Sequence, residues 1–217
     1  MKEHLIAGFL MTLLSCSIAA QVDIKATMGV NMVSMPGLRD YLNVNYARSN
    51  QLSVFSTAVY FSGEADYQFE KMQIGIDLSS ETNSYNFDQG AGQYTLSYSF
   101  LQPNLMLYHF IQGEGYKFRF GAGVGPRFLS VSETDPYIIT SETNYKTTGF
   151  GIIGRIDAST AVSKSVFAYL GGDIGFNYLG VPSSGNKKLQ APMQPDGVKF
   201  TGFFVGLRLG ILYSITL

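Results

Sequence analysis

Cysteine is almost missing: the 217 residues hold one, Cys16. There are two histidines, no tryptophan, and charged residues make up only 14%. An ordinary soluble domain carries about 25% charge. One cysteine excludes a disulfide framework, and with so little histidine a dedicated zinc site has too few donors. A net charge of −1 gives no field for binding nucleic acid. No apolar run reaches the ~18 residues of a membrane-spanning helix. What is plentiful is glycine, with 24 residues, and aromatic side chains, with 16 Phe and 14 Tyr. Hydrophobic content of 46% excludes disorder.

The first twenty residues read as a secretory signal peptide. Lys2 and His4 form a polar start, Leu5 to Leu14 an apolar core, and Ser15 to Ala20 a small-residue stretch. Cleavage after Ala20 leaves a barrel-forming region over residues 21–217 and removes Cys16. The alternative is lipidation of Cys16, since Leu13-Leu14-Ser15-Cys16 loosely matches a lipoprotein box.

The remaining chain alternates with period two, the mark of strands with two unlike faces. Eight segments do so, beginning near Val22, Phe55, Met72, Tyr94, Tyr116, Phe150, Val166 and Phe203. One face collects six bases: Lys25, Lys117, Arg119, Arg127, Arg155 and Arg208. It also collects six acids: Asp23, Glu64, Asp66, Asp77, Asp157 and Asp173. The opposite face is apolar and too bulky for the inside of an eight-stranded barrel. The expected fold is therefore all-β, an up-and-down eight-stranded antiparallel transmembrane barrel with lipid on the apolar face. Its lumen is expected to be filled by charged and polar side chains that pair with one another, because unpaired buried charge is costly. A soluble lipocalin-like barrel would reverse the faces.

Short links fall at Glu70-Lys71, Gln112 to Gly115 and Ser163 to Ser165. Longer polar links fall at Pro36 to Gln51, Thr82 to Gly92, Ser132 to Lys146 and Gly180 to Val198. Short periplasmic turns and long outer loops are the outer-membrane pattern. A hairpin within Pro36 to Gln51 would raise the strand count to ten.

Two stretches carry a family resemblance. SFLQPNLMLYHF (Ser99 to Phe110), a Gly-rich turn, and YKFRFGAGVGPRFLSVSE (Tyr116 to Glu133) resemble the central hairpin of the porin-like outer-membrane β-barrel domain family of Gram-negative bacteria. GLRLGILYSITL, from Gly206 to Leu217, is similar to the closing strand of such domains. The resemblance implies the cell outer membrane as location. It implies outer-membrane lipids and the barrel-assembly machinery as partners, with other outer-membrane proteins as further candidates. It implies no single activity.

Other motifs carry less. Gly149 to Gly154 matches GxGxxG, but the alternation runs straight through it, where a dinucleotide site needs a helix to begin. Gly121-x-Gly123-x-Gly125 reads in the same way, as small lumen residues beside arginines. His109 is the sole imidazole after the leader, expected near the periplasmic end of the fourth strand, away from any outer-leaflet hydrolase site. Glu133, Asp135 and Glu142 lack calcium-ligand spacing. Pro103 should bulge its strand. Tyr94, Tyr98, Tyr116, Tyr137, Tyr178 and Tyr213 should form interfacial girdles. Tyr41, Tyr46, Tyr137 and Tyr145 should decorate outer loops. No cofactor is expected. The expected function is that of a non-enzymatic structural or interaction protein, with a subunit of a larger outer-membrane assembly as one form of that role. The alternatives are a narrow solute pore and, third, a lipid-modifying enzyme.

Overall fold

The computed structural model describes residues 21–47, 51–90, 92–136, 142–190 and 197–216. The leader with His4 and Cys16, together with Tyr137 and Leu217, lies outside the described residues. Eight long strands form the body: β1 (Gln21–Ser34), β2 (Ser56–Phe69), β3 (Met72–Gln89), β4 (Gly92–Gly113), β5 (Tyr116–Thr134), β6 (Thr143–Ala161), β7 (Val166–Leu179) and β8 (Gly202–Thr216). Each pairs antiparallel with its sequence neighbours, and β8 pairs back to β1, so the sheet closes. A closed sheet has no exposed edge and satisfies its backbone internally, as hydrocarbon demands. No described helix is long and apolar enough to cross a membrane; the crossing is made by strands.

The registers fix the shape. Outward-facing partners run from Val22 through Tyr67, Ile74, Leu107, Ala122, Gly154, Ile174 and Val205. They return to β1 at Met32, ten residues along the strand from Val22. With ~3.3 Å per residue and ~4.8 Å between strands, that stagger tilts the strands by roughly 40° and gives a radius of about 8 Å. Such an interior holds side chains and little else.

The expected bulge at Pro103 is absent. The β4–β5 register is the same at Leu101↔Phe128 as at Leu105↔Val124, with no extra residue between. That register places Pro103 opposite Pro126. Each lacks an amide donor, so the ladder is interrupted there without slipping.

The outer links also differ from expectation. Residues 82–89 are not a loop: β3 and β4 stay paired out to Gln89↔Gly92, and their hairpin projects beyond the end of β2. Both faces of this hairpin are polar or aromatic, so apolar alternation gives no sign of it. Residues 36–51 add no hairpin among the described residues. They hold a helix, α1 (Pro36–Asn45), begun by Pro36 in the first turn, where a missing N–H costs nothing. Leu38, Tyr41 and Leu42, at helical spacing, form its buried face. The β7–β8 connection folds back as a two-residue hairpin, Ser183–Ser184 with Lys187–Lys188, laid against β6.

The body is greasy outside. Ile76, Leu105, Ile156, Leu170, Ile174 and Leu207 are each more than half exposed. Phe128, Phe150, Tyr178 and Phe203 bound this belt on the outer side, and Phe69, Tyr116, Phe118 and Tyr213 on the other. From Phe118 to Phe128 along β5 the belt is roughly 25 Å tall at that tilt. Tyr116, Tyr178 and Tyr213 thus sit at the belt edges as expected. Tyr94 and Tyr98 do not: with Leu96 and Phe100 they point inward and are fully buried. The inward parity of β4 runs unbroken from Tyr94 to Tyr108, while Leu101, Leu105 and Leu107 take the outer face.

Candidate functional site, the filled lumen

All twelve charged residues singled out from the sequence point into the barrel, none more than 6% exposed. They are stacked in layers that follow from their positions on the tilted strands. At the periplasmic end, Asp23 on β1 accepts from Lys117 on β5 at 2.8 Å, from Gln73 at 2.7 Å and from Ser214 at 2.6 Å. Above it, Lys25 pairs with Glu64, and with Asp66 at 2.9 Å. Arg119 makes a two-pronged contact to Asp157 at 2.7 and 2.8 Å and reaches Asp66 at 2.8 Å. Two parallel bonds from a planar guanidinium to one carboxylate fix direction as well as distance.

The next layer centres on Arg155 of β6. It pairs with Glu64 on β2, with Asp77 on β3 at 3.5 Å and with Asp173 on β7 at 3.0 Å, and donates to the Tyr108 hydroxyl at 2.9 Å. Arg208 pairs with Asp173, and its guanidinium lies 4.5 Å from the centre of the Tyr60 ring. Several of these contacts join β2 to β5 or β6, on the far side of the barrel. They tie opposite walls together across the axis.

Arg127 differs from the expectation of a carboxylate partner. It donates to the amide oxygens of Asn177 at 2.7 Å and Asn104 at 2.8 Å, and to the Gly125 and Pro126 carbonyls. Gly151 makes room for it: a β-carbon there would collide with Arg127 Nε. The GxGxxG stretch is thus strand backbone, and this one glycine is a clearance for a buried guanidinium.

Sequence reading misses Glu81, a seventh buried carboxylate. Counting by two from Asp77 along β3 reaches Ser79 and Glu81, but the outer face there turns polar at Ser80 and Thr82 and hides the alternation. Glu81 accepts from Asn31 at 2.6 Å. The supporting amides and phenols, Gln73, Asn104, Asn177 and Tyr108, escape it too; inward parity is the signal that marks them.

Beyond Glu81 and Arg127 the outer end of the lumen is mainly aromatic and aliphatic. Tyr98, Phe100, Phe200, Phe204, Leu129 and Val131 pack beneath α1, whose Leu38 and Leu42 close the mouth. Tyr41 and Tyr145 therefore belong to this closure and are buried, where loop decoration was expected. Tyr41 and Tyr94 donate to the same oxygen of Glu133 at 2.6 and 2.7 Å, and Tyr145 to the other at 3.3 Å. Tyr46 stacks on Tyr94 with ring centres 3.5 Å apart. Burial, and for Tyr41 the Glu133 carboxylate next, push the phenols of Tyr41 in α1 and of Tyr46 just after it above the ordinary tyrosine value. His109 sits on the outward face of β4 near the periplasmic end, its ring 5.4 Å from that of Phe120.

No family model matches this chain, and neither does any curated protein sequence. Solved structures do. Neisserial surface protein A is similar over 88% of this chain and 96% of its own, at 13% identity and a TM-score of 0.50. The attachment invasion locus protein Ail of Yersinia pestis, solved with the heparin analogue sucrose octasulfate, is similar over 91% of this chain and 100% of its own, at 8% identity and a TM-score of 0.52. A major outer membrane protein of Thermus thermophilus covers the same shares at 14% identity and a TM-score of 0.50. At these identities the likeness speaks for the fold alone. Together with the lipid-facing belt and the closed ring, it shows that this chain has the fold of the small outer-membrane β-barrels.

Proposed function

We propose that this protein is a plugged outer-membrane barrel that acts without catalysis, as a structural or interaction protein, alone or within a larger outer-membrane assembly. The lumen charge network of Asp23, Lys25, Glu64, Asp66, Asp77, Lys117, Arg119, Arg127, Arg155, Asp157, Asp173 and Arg208 serves as its plug. The observation that carries this reading is the set of contacts spanning the axis, Lys117 to Asp23, Arg119 to Asp66 and Arg155 to Glu64. A solute would have to break them and then pass the apolar core under α1. The paired β3–β4 hairpin beyond the end of β2 offers a rigid outer surface for a partner. The chain enters the membrane after removal of residues 1–20 and is folded there by the barrel-assembly machinery.

Planar-bilayer recording of the pure folded chain tests the plug. The expected result is no steady conductance above the bare bilayer. Sustained, sizeable openings would instead establish the narrow-pore reading. The third reading, a lipid-modifying enzyme built on His109, has that imidazole facing the belt edge at the periplasmic end.

A further inference from the structure

A single cross-strand row climbs obliquely over half of the outer rim, from the edge of the apolar belt upward by about 3 Å per strand, because the strands are tilted. Thr82 on β3 pairs with Ser99 on β4, Ser99 with Ser130 on β5, and Ser130 with Lys146 on β6. Lys146 then pairs with Ser183, and Ser183 with Lys188, in the small hairpin of the β7–β8 connection. Cross-strand partners share a face, so all six side chains lie on one side of the sheet. That side is outward, the face that carries Phe128 and Phe150 lower down β5 and β6. Two residues nearer the membrane, the next outward-facing pair on β4 and β5 is Leu101 with Phe128, where the belt ends.

Every member of the row is a hydroxyl or an ammonium, and none is a carboxylate. Lys146 and Lys188 are exposed and make no ion pair among the described residues. Two strand spacings, about 10 Å, separate their backbones. Flexible lysine stems can converge on one phosphate or straddle two on one headgroup.

We propose that this row is a docking band for the phosphorylated headgroup of an outer-leaflet glycolipid, with Lys146 and Lys188 as its two anchors. The proposal rests on the outer-membrane reading and on the long hairpins facing outward. It adds a specific lipid contact that a plugged barrel does not require. The placement supports a lipid over a soluble anion: Thr82 and Ser99 stand at the belt edge beside Leu101, and the row rises from there by roughly 9 Å to Lys146 and roughly 15 Å to Lys188, whose long stems reach back toward the headgroup level. Basic side chains at a membrane surface attract anionic lipids in this way, and the serines and threonines add donors to phosphate or sugar oxygens.

The test is a titration of the folded full chain, in neutral detergent micelles, with diphosphorylated lipid A, followed by native mass spectrometry. K146Q/K188Q is expected to bind about thirtyfold more weakly than the natural chain. Lys187, next along the same hairpin, points to the other face, so K187Q is expected to bind within about twofold of the natural chain. Both variants leave the lumen untouched, and a retained heat-dependent gel shift shows that they fold. Removing the phosphates from the lipid should abolish the difference between variants. The proposal is overturned if K146Q/K188Q binds as tightly as the natural chain, or if the phosphate-free lipid binds equally well. It is overturned too if inorganic phosphate at matched concentration displaces the lipid, since the site would then recognise the free ion. A conducting barrel that binds lipid through these lysines would sink the plug and leave the band standing, so the two failures are separable.

Discussion

Replacing Arg155 with Met is expected to destabilise the folded barrel by about 3–5 kcal/mol, the range for removing one partner of a buried ion pair. Arg155 has the most ion-pair partners in the network: Glu64, Asp77 and Asp173 surround its guanidinium, and Tyr108 meets it from β4. Methionine fills much of the space but leaves carboxylates short of a cation inside a wall that water does not reach. Glu64 keeps Lys25 and Asp173 keeps Arg208, so the loss falls hardest on Asp77, whose other bond is to the Asn104 amide. Arg208→Leu strands a single carboxylate that still has Arg155 and is expected to cost less. The measurement is reversible unfolding in urea, or the temperature at which the folded band is lost on semi-native gels. Adding Asp77→Asn to Arg155→Met should recover part of the loss, because it removes the carboxylate left without a cation and the two residues are coupled, so their effects do not add. An unchanged midpoint for Arg155→Met would mean that the network contributes no stability.

The second large effect concerns the outer face. Leu207 lies midway along β8 between Phe203 and Tyr213, and is 67% exposed. On a water-exposed surface Leu207→Arg would be close to neutral. On the lipid face of a barrel, an arginine at the midplane costs about 2–4 kcal/mol, falling to about 0–1 near the interface. Leu207→Arg is therefore expected to lose that much on refolding into vesicles, while Ile215→Arg, on the same face at the strand end, loses little. Equal effects at the two positions would contradict a depth-graded hydrocarbon environment.

How far the sequence discloses this architecture depends on whether a strand's two faces differ. Where one face meets lipid and the other meets the charge network, alternation is sharp. On β5 and β6, Lys117, Arg119, Arg155 and Asp157 mark the inward parity without ambiguity. Toward the outer end that contrast disappears. Tyr94, Leu96, Tyr98 and Phe100 are apolar and inward, so alternation alone assigns them to the lipid stripe. The hairpin over residues 82–92 has polar side chains on both faces and reads as a loop. The helix α1 is short, and its Leu38, Tyr41 and Leu42 offer one small apolar face amid polar neighbours. Among the network residues, charge makes the twelve visible. Glu81 escapes because its flanking outward positions are Ser80 and Thr82. The partners of Arg127 escape because asparagine on a strand carries no signal of its own. The registers, and with them the row from Thr82 to Lys188, require strand pairings that a single sequence does not supply.

The central claim is that the apolar face of every strand lies against acyl chains while the charged face closes on itself. The most direct measurement is power-saturation EPR on Ile152→Cys and Leu207→Cys, each spin-labelled in the leaderless chain, which holds no other cysteine, after reconstitution into phospholipid vesicles. The account predicts that oxygen, which concentrates in hydrocarbon, relaxes both labels strongly, while a water-soluble nickel chelate barely reaches them. Strong relaxation by the chelate at both sites, or shielding from both reagents, would place that face in water or in a protein interior and contradict the inside-out barrel.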